Sequence, residues 1–153
     1  MIKIAHRGNR MGPNPEYENS PIHLGAAISD GYHVEVDVWM NDEGIFLGHD
    51  GPTYKVDETF LEDIKDEAWF HCKNIEALGY FSNHMPDARY FWHENDKHTL
   101  TSNGYIWTYP GNALTNKSIL VVNEPRDLSV FEGIYGVCTD YWVEDPLSVD
   151  HII

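Results

Sequence analysis

Five consecutive residues, Val34-Glu35-Val36-Asp37-Val38, alternate valine with acid. A period of two is that of a β-strand, so the valines share one face and the carboxylates the other. Glu35 and Asp37 then stand two residues apart on one face, where like charges repel unless a cation lies between them. A divalent cation such as Mg²⁺ or Ca²⁺ meets that need with carboxylate ligands; a solvent-facing acidic edge meets it by hydration. The flanking residues separate the two readings. His6-Arg7-Gly8 ends the apolar run 2–5, and His49-Asp50-Gly51 follows the returning run 45–48. Two histidines can give and take a proton at neutral pH. Arg7, and Lys73 at the end of another apolar run, can hold non-bridging phosphate oxygens. An ion on Glu35 and Asp37 can polarise a phosphoryl oxygen. Together these residues specify phosphoryl transfer by positioning and charge neutralisation.

Such side chains need elements to hold them. Apolar runs predict strands at 2–5, 32–40, 45–48, 68–73, 89–94, 104–109, 118–123 and 135–140. Ser20 and Pro21 suit the cap and first position of a helix with a stripe of Ile22, Ala26 and Ile28, which Gly31 stops. Further helices are expected at 59–64, 75–81 and 128–132, and a last helical turn within 146–153. Pro13 and Pro15 keep 9–17 a loop. Strands that alternate with helices, some of them apolar throughout, are the mark of parallel βα units buried on both faces. Polar residues recur at the strand ends: His6, His49, Lys73, Glu94, Thr108 and Asp140. The expected fold is therefore α/β, a compact (β/α) TIM-type barrel whose strand ends converge on one mouth. Such barrels typically take about 250 residues, so at 153 residues several helices must be short or missing. An open parallel sheet with its ligand at the strand ends is the alternative.

The chain reads as a single domain over residues 1–153, with 42% hydrophobic residues and so enough apolar material for a core. Twenty-five acids face ten bases, a formal charge of −15. That field repels phosphate backbones and anionic membrane surfaces, which excludes nucleic acid as a partner but not a small anionic substrate held by a metal. Cys72 and Cys138 are too few and too far apart for a disulfide framework. No apolar run approaches the roughly 20 residues of a membrane span. The first residues enter a strand at once, so no signal peptide is expected and the protein reads as soluble and cytoplasmic.

Four motifs resemble those of the glycerophosphodiester phosphodiesterases, relatives of the phosphatidylinositol-specific phospholipase C barrels. They are Ile4-Ala5-His6-Arg7-Gly8; Glu18-Asn19-Ser20, preceded by Tyr17 where the family has Pro; Val34-Glu35-Val36-Asp37-Val38-Trp39-Met40; and Gly48-His49-Asp50. Order and spacing agree over residues 4–50. Trp107-Thr108 and Thr139-Asp140-Tyr141 are looser matches.

The resemblance implies a (β/α)₈-type barrel and a metal-dependent phosphodiesterase of lipid metabolism. It makes His6 and His49 the general acid and base, Glu35 and Asp37 metal ligands, and Arg7 and Lys73 phosphate contacts. Glu18 would orient Arg7 or complete the metal shell. The family adds a carboxylate in a Glu-x-Lys, where this chain has His71-Cys72-Lys73. The third ligand is then His71, which favours a transition metal over Mg²⁺ or Ca²⁺, or Glu94 on the next strand. Because of that exchange and the short second half, two other readings stand beside the hydrolase. One is an inactive barrel that binds phosphate esters or sugar phosphates; the other is a structural subunit that completes its sheet by oligomerisation.

Overall fold

The computed structural model describes residues 1–143; the turn expected within 146–153 lies outside them. The strands are β1 (Ile2–His6), β2 (His33–Asn41), β3 (Gly44–Leu47), β4 (Tyr54–Val56), β5 (Ala68–Cys72), β6 (Arg89–Trp92), β7 (His98–Leu100), β8 (Ile106–Thr108), β9 (Ser118–Val122) and β10 (Gly136–Thr139). The helices are α1 (Pro21–Ser29), α2 (Glu58–Ile64) and α3 (Ile75–His84), with a 3₁₀ turn at Lys65–Glu67. Parallel pairing runs β6-β5-β2-β1-β10-β9-β8. Three pairs are antiparallel: β2 with β3, β3 with β4, and β7 with β8.

This corrects the expected TIM-type barrel. The described residues form a curled, mixed sheet, a half-barrel with 33% strand and 20% helix, and not a barrel ringed by helices. The reason lies in the connections. α1 links β1 to β2 and α3 links β5 to β6, but residues 93–97, 109–117 and 123–135 contain no helix. The first only turns the chain into β7, which runs antiparallel to β8. The second, between the parallel strands β8 and β9, is too short for a helical crossover, which with its helix takes at least about 10–12 residues. In the third, the Asp127 carboxylate accepts from both the N–H and the hydroxyl of Ser129. That local bond competes with helix formation, and the helix expected at 128–132 is replaced by turns. No strand ladder joins β6 to β7 or β8 among the described residues, although Ser102 N–H donates to the Tyr90 carbonyl.

The cap of α1 is as read: Ser20 accepts from His23 N–H, with Pro21 in the first turn. Its buried face is not. Leu24 and Ala27 are buried and Ile28 packs against the core, while Ile22 is 87% exposed. Positions 24, 27 and 28 share one face, and 22 and 26 another. The short strands β4 and β7 were not foreseen.

The sheet has two apolar faces. Val34, Val36 and Val38 join Ala5, Phe70 and Cys72 in a core with Leu24 and Ala27 of α1 and Ala77 and Phe81 of α3. The opposite face carries a separate cluster of Ile4, Trp69, Phe91, Trp107, Ile119, Val121 and Cys138. The functional side chains stand on this second face, one residue pair beyond the cluster. Among the described residues no helix is long and apolar enough to cross a membrane.

Candidate metal and acid–base site

With the valines of β2 packed against helices, alternation sends Glu35 and Asp37 to the other face. Both are buried, at 3% and 1% exposure. The β2–β5 register places His71 beside Asp37, and Glu35, Asp37 and His71 bring one ligand atom each to within 4.8 Å of one another. His71 Nε2 donates to the His93 carbonyl at 3.2 Å. In the neutral ring this leaves the lone pair on Nδ1, which lies 3.0 Å from Asp37 Oδ1. Donor atoms 3.0 Å apart suit two adjacent ligands at about 2.1 Å from one ion, near the right angle of octahedral coordination. Asp37 Oδ1 and Glu35 Oε1 are buried and receive no directed hydrogen bond. Buried polar atoms are rarely left so, and a divalent cation would satisfy both. The donor set fits such an ion, and two carboxylates with an imidazole suit a first-row transition metal.

Asn19 holds the other side of Asp37. Its amide donates to Asp37 Oδ2 at 2.9 Å and its carbonyl accepts Asp37 N–H at 3.0 Å. Asn19 is buried at φ 67°, a left-handed conformation that Asn tolerates better than most residues.

His6, next to Glu35 across the β1–β2 pair, has a carboxylate at each nitrogen: Asp140 Oδ1 at 3.0 Å from Nδ1 and Glu35 Oε2 at 3.6 Å from Nε2. Burial opposes its charge, but Glu35 and Asp140 outweigh burial and raise its pKa. Glu35 is pushed up, first by burial and then by the Asp37 charge. Burial would raise Asp37 too, but His71, Asn19 and Arg7 more than offset this and hold it down. His71 is raised because the two carboxylates outweigh its burial. The two carboxyls of one strand are thus driven in opposite directions, a frequent property of functional sites.

The remaining candidates surround this centre. Arg7 NH1 donates to Glu18 Oε1 at 3.0 Å, and its Nε lies 3.5 Å from Asp37 Oδ2. Glu18 also accepts from Asn9, which donates to Asp140 as well. Glu18 therefore belongs to the Arg7–Asn9 network and stands outside the ligand trio. Glu94 also stands outside it: β6 ends at Trp92, and Glu94 is exposed in the turn that follows. The β2–β3 hairpin returns His49 toward the site. Gly48 N–H donates to the Asp37 carbonyl, and the Gly48 carbonyl accepts from Trp39 Nε1 at 2.7 Å. His49 Nδ1 is 2.8 Å from Asp50 Oδ1, and both side chains reach solvent.

An inner cavity of about 60 Å³ is lined by His6, Arg7, Glu35, Asp37, His49 and His71, with His93, Trp107, Tyr109 and Val121 completing its wall. It has room for an ion with water. An outer cavity of about 290 Å³ shares His49, His71, His93 and Tyr109 and adds Cys72, Lys73, Trp92 and Glu94. Lys73 pairs with no carboxylate among the described residues and is available to an anion.

Sequence reasoning missed Asn9, His93 and Tyr109 and gave Asp140 no role in orienting His6. A signal for several of them exists. Ile4-x-His6, Trp69-x-His71, Phe91-x-His93, Trp107-x-Tyr109 and Cys138-x-Asp140 each place a polar residue two positions beyond a member of the apolar cluster. Comparison with protein-family models, curated proteins and solved structures finds no match to this chain.

Proposed function

We propose that this protein is a metal-dependent phosphodiester hydrolase acting on small diesters of the glycerol or polyol type. The observation that carries the reading is the buried trio Glu35, Asp37 and His71, with two carboxylate oxygens lacking directed hydrogen bonds, between two histidines able to reach one cavity wall. A divalent ion held there would polarise a phosphoryl oxygen. The donors favour Mn²⁺ or Zn²⁺ over Mg²⁺ or Ca²⁺. Arg7 and Lys73 take the non-bridging oxygens, with the alcohol groups in the outer cavity. His6, raised between Glu35 and Asp140, holds a proton for the departing alkoxide. His49, at the mouth, takes one from the substrate's neighbouring hydroxyl or from water. The resemblance of residues 4–50 favours the hydroxyl and a cyclic phosphate product. The reading carries with it a soluble, cytoplasmic protein whose acidic surface keeps it from nucleic acid.

The test has two stages. Calorimetric titration with Mn²⁺ and Zn²⁺, with Glu35→Gln as control, measures the ion site. A panel of diesters then measures turnover in wild type, His6→Ala and His49→Ala. Each histidine variant is expected to lose at least a hundredfold in kcat/KM. Wild-type activity in either variant refutes the acid–base assignment. Metal binding without turnover on any diester replaces the hydrolase with a phosphate-ester binding protein.

A further inference from the structure

His93 is absent from the four motifs and has no part in the mechanism above, yet it lines both cavities. Its side chain is 4% exposed. Nδ1 faces Asp96 Oδ2 at 3.5 Å, while Nε2 is buried with no hydrogen-bond partner. With the carboxylate beside Nδ1, the proton of the neutral ring belongs there and Nε2 carries the lone pair. The ring is held in place. It packs on Tyr109 with centroids 4.5 Å apart and lies 5.9 Å from the His71 ring, whose Nε2 donates to the His93 carbonyl. His93 is not one of the three residues whose ligand atoms converge, and it lines both cavities, so a molecule that enters them is the available source of a donor for Nε2. A buried acceptor of this kind requires a donor, and leaving it unpaired is costly.

We infer that His93 Nε2 accepts a hydrogen bond from a hydroxyl on the alcohol side of the bound phosphate ester, making His93 a specificity-determining residue. The inference rests on the reading of this cavity as a phosphate-ester site. Lys73 in the same wall receives the phosphate. The alcohol then extends along Tyr109 and His93, where an alkyl chain would leave Nε2 unsatisfied and a polyol would satisfy it. The hydroxyl that His93 holds keeps its proton, and the reacting proton is left to His6 and His49.

The experiment is calorimetric binding of glycerol 1-phosphate and of propyl phosphate to the Mn²⁺-loaded protein, which requires no turnover. Wild type is expected to favour glycerol 1-phosphate by about tenfold or more. His93→Ala should remove that preference while affinity for propyl phosphate changes less than threefold. His93→Gln, which keeps a hydrogen-bonding atom near the position of Nε2, should retain part of the preference. No preference in wild type overturns the inference, as does a preference that survives in His93→Ala, or an equal loss for both esters, which marks a packing role. A wild type that binds Mn²⁺ but neither ester overturns this inference and the phosphate-ester reading together. Selective loss of the hydroxyl preference in a protein without hydrolase activity supports the inference while the hydrolase reading fails.

Discussion

Glu35→Gln should make the metal-free protein more stable and at the same time abolish its response to metal. Glu35 is 3% exposed and its carboxyl is pushed from an ordinary 4.5 up to about 7, by burial and by Asp37. The folded state therefore binds this proton more tightly than the unfolded chain does. Stability falls as pH rises from about 4.5 to about 7, and above that the cost is constant. At 1.36 kcal/mol per pKa unit, the cost of the charge is about 1 kcal/mol at pH 5 and about 3 kcal/mol at pH 7.5. His6, His71 and Arg7 share the field, so the realistic gain on removing the charge at pH 7.5 is about 1–3 kcal/mol. Gln keeps the volume and leaves a similar atom without a partner, so the comparison isolates charge. For a chain of this size the gain is a rise in Tm of about 2–12 °C. Scanning calorimetry in chelator at pH 5.0 and 7.5 reads it. With ion at a hundredfold excess over Kd, wild type should gain about 2.7 kcal/mol and the variant nothing. A metal-free variant no more stable than wild type at pH 7.5, or a difference that does not grow between pH 5.0 and 7.5, refutes the picture of a strained carboxylate awaiting a cation.

Three further substitutions probe the supports of the site. Asn19→Ala deletes both bonds to Asp37 and places Ala at φ 67°. It should cost about 2–4 kcal/mol, read as a Tm lower by about 4–16 °C in thermal melts. Gly48→Ala would place a Cβ 2.1 Å from the Gly51 carbonyl oxygen, so the turn carrying His49 must move. Diester turnover should fall at least tenfold while calorimetric metal affinity stays within threefold, because the ligands stand on β2 and β5. His71→Glu exchanges an imidazole for a carboxylate. Competition titrations should show the ratio of Mn²⁺ or Zn²⁺ to Mg²⁺ affinity fall by about tenfold or more, and an unchanged ratio would remove His71 from the coordination shell.

The legible part of the site is the part written in local pattern. Alternation in Val34–Val38 assigns its two faces, and His6-Arg7-Gly8 and Gly48-His49 are short enough for chain order to imply nearness. Glu94 shows where local reading stops. It and His93 are neighbours in sequence, but a strand sends successive side chains to opposite faces. Phe91 lies in the apolar cluster, so position 93 continues along its face while 94 falls in the exposed turn. Charge alone favoured Glu94, and register favours His93. Thr108 and Tyr109 differ in the same way. Thr108 turns its hydroxyl to the Ile106 carbonyl, while Tyr109 reaches the cavities. The bonds from Asn19 to Asp37 and from Asn9 to Asp140 join residues 18 and 131 positions apart, and no spacing rule reaches that far.

The fold departed from expectation through a short connection at 109–117 and local turn bonding within 123–135, and the departure bears on how the site is held. Parallel strands need a long crossover, usually helical, and residues 109–117 and 123–135 connect parallel neighbours without one. The chain keeps its helices where precision matters most. α1 and α3 pack against β2 and β5, the strands that carry Glu35, Asp37 and His71. Ligands on strands clamped from behind hold their geometry better than ligands on loops. The helix-free strands β8, β9 and β10 supply mainly the apolar layer beneath, through Trp107, Ile119, Val121 and Cys138, where volume and dryness matter more than angle. Asp140, just past β10, and Tyr109, just past β8, are exceptions: Asp140 orients His6 and Tyr109 lines the cavities, neither as part of the ligand trio. A half-barrel can therefore hold this site because the residues that must meet one ion to within a fraction of an ångström all stand on its helix-backed half.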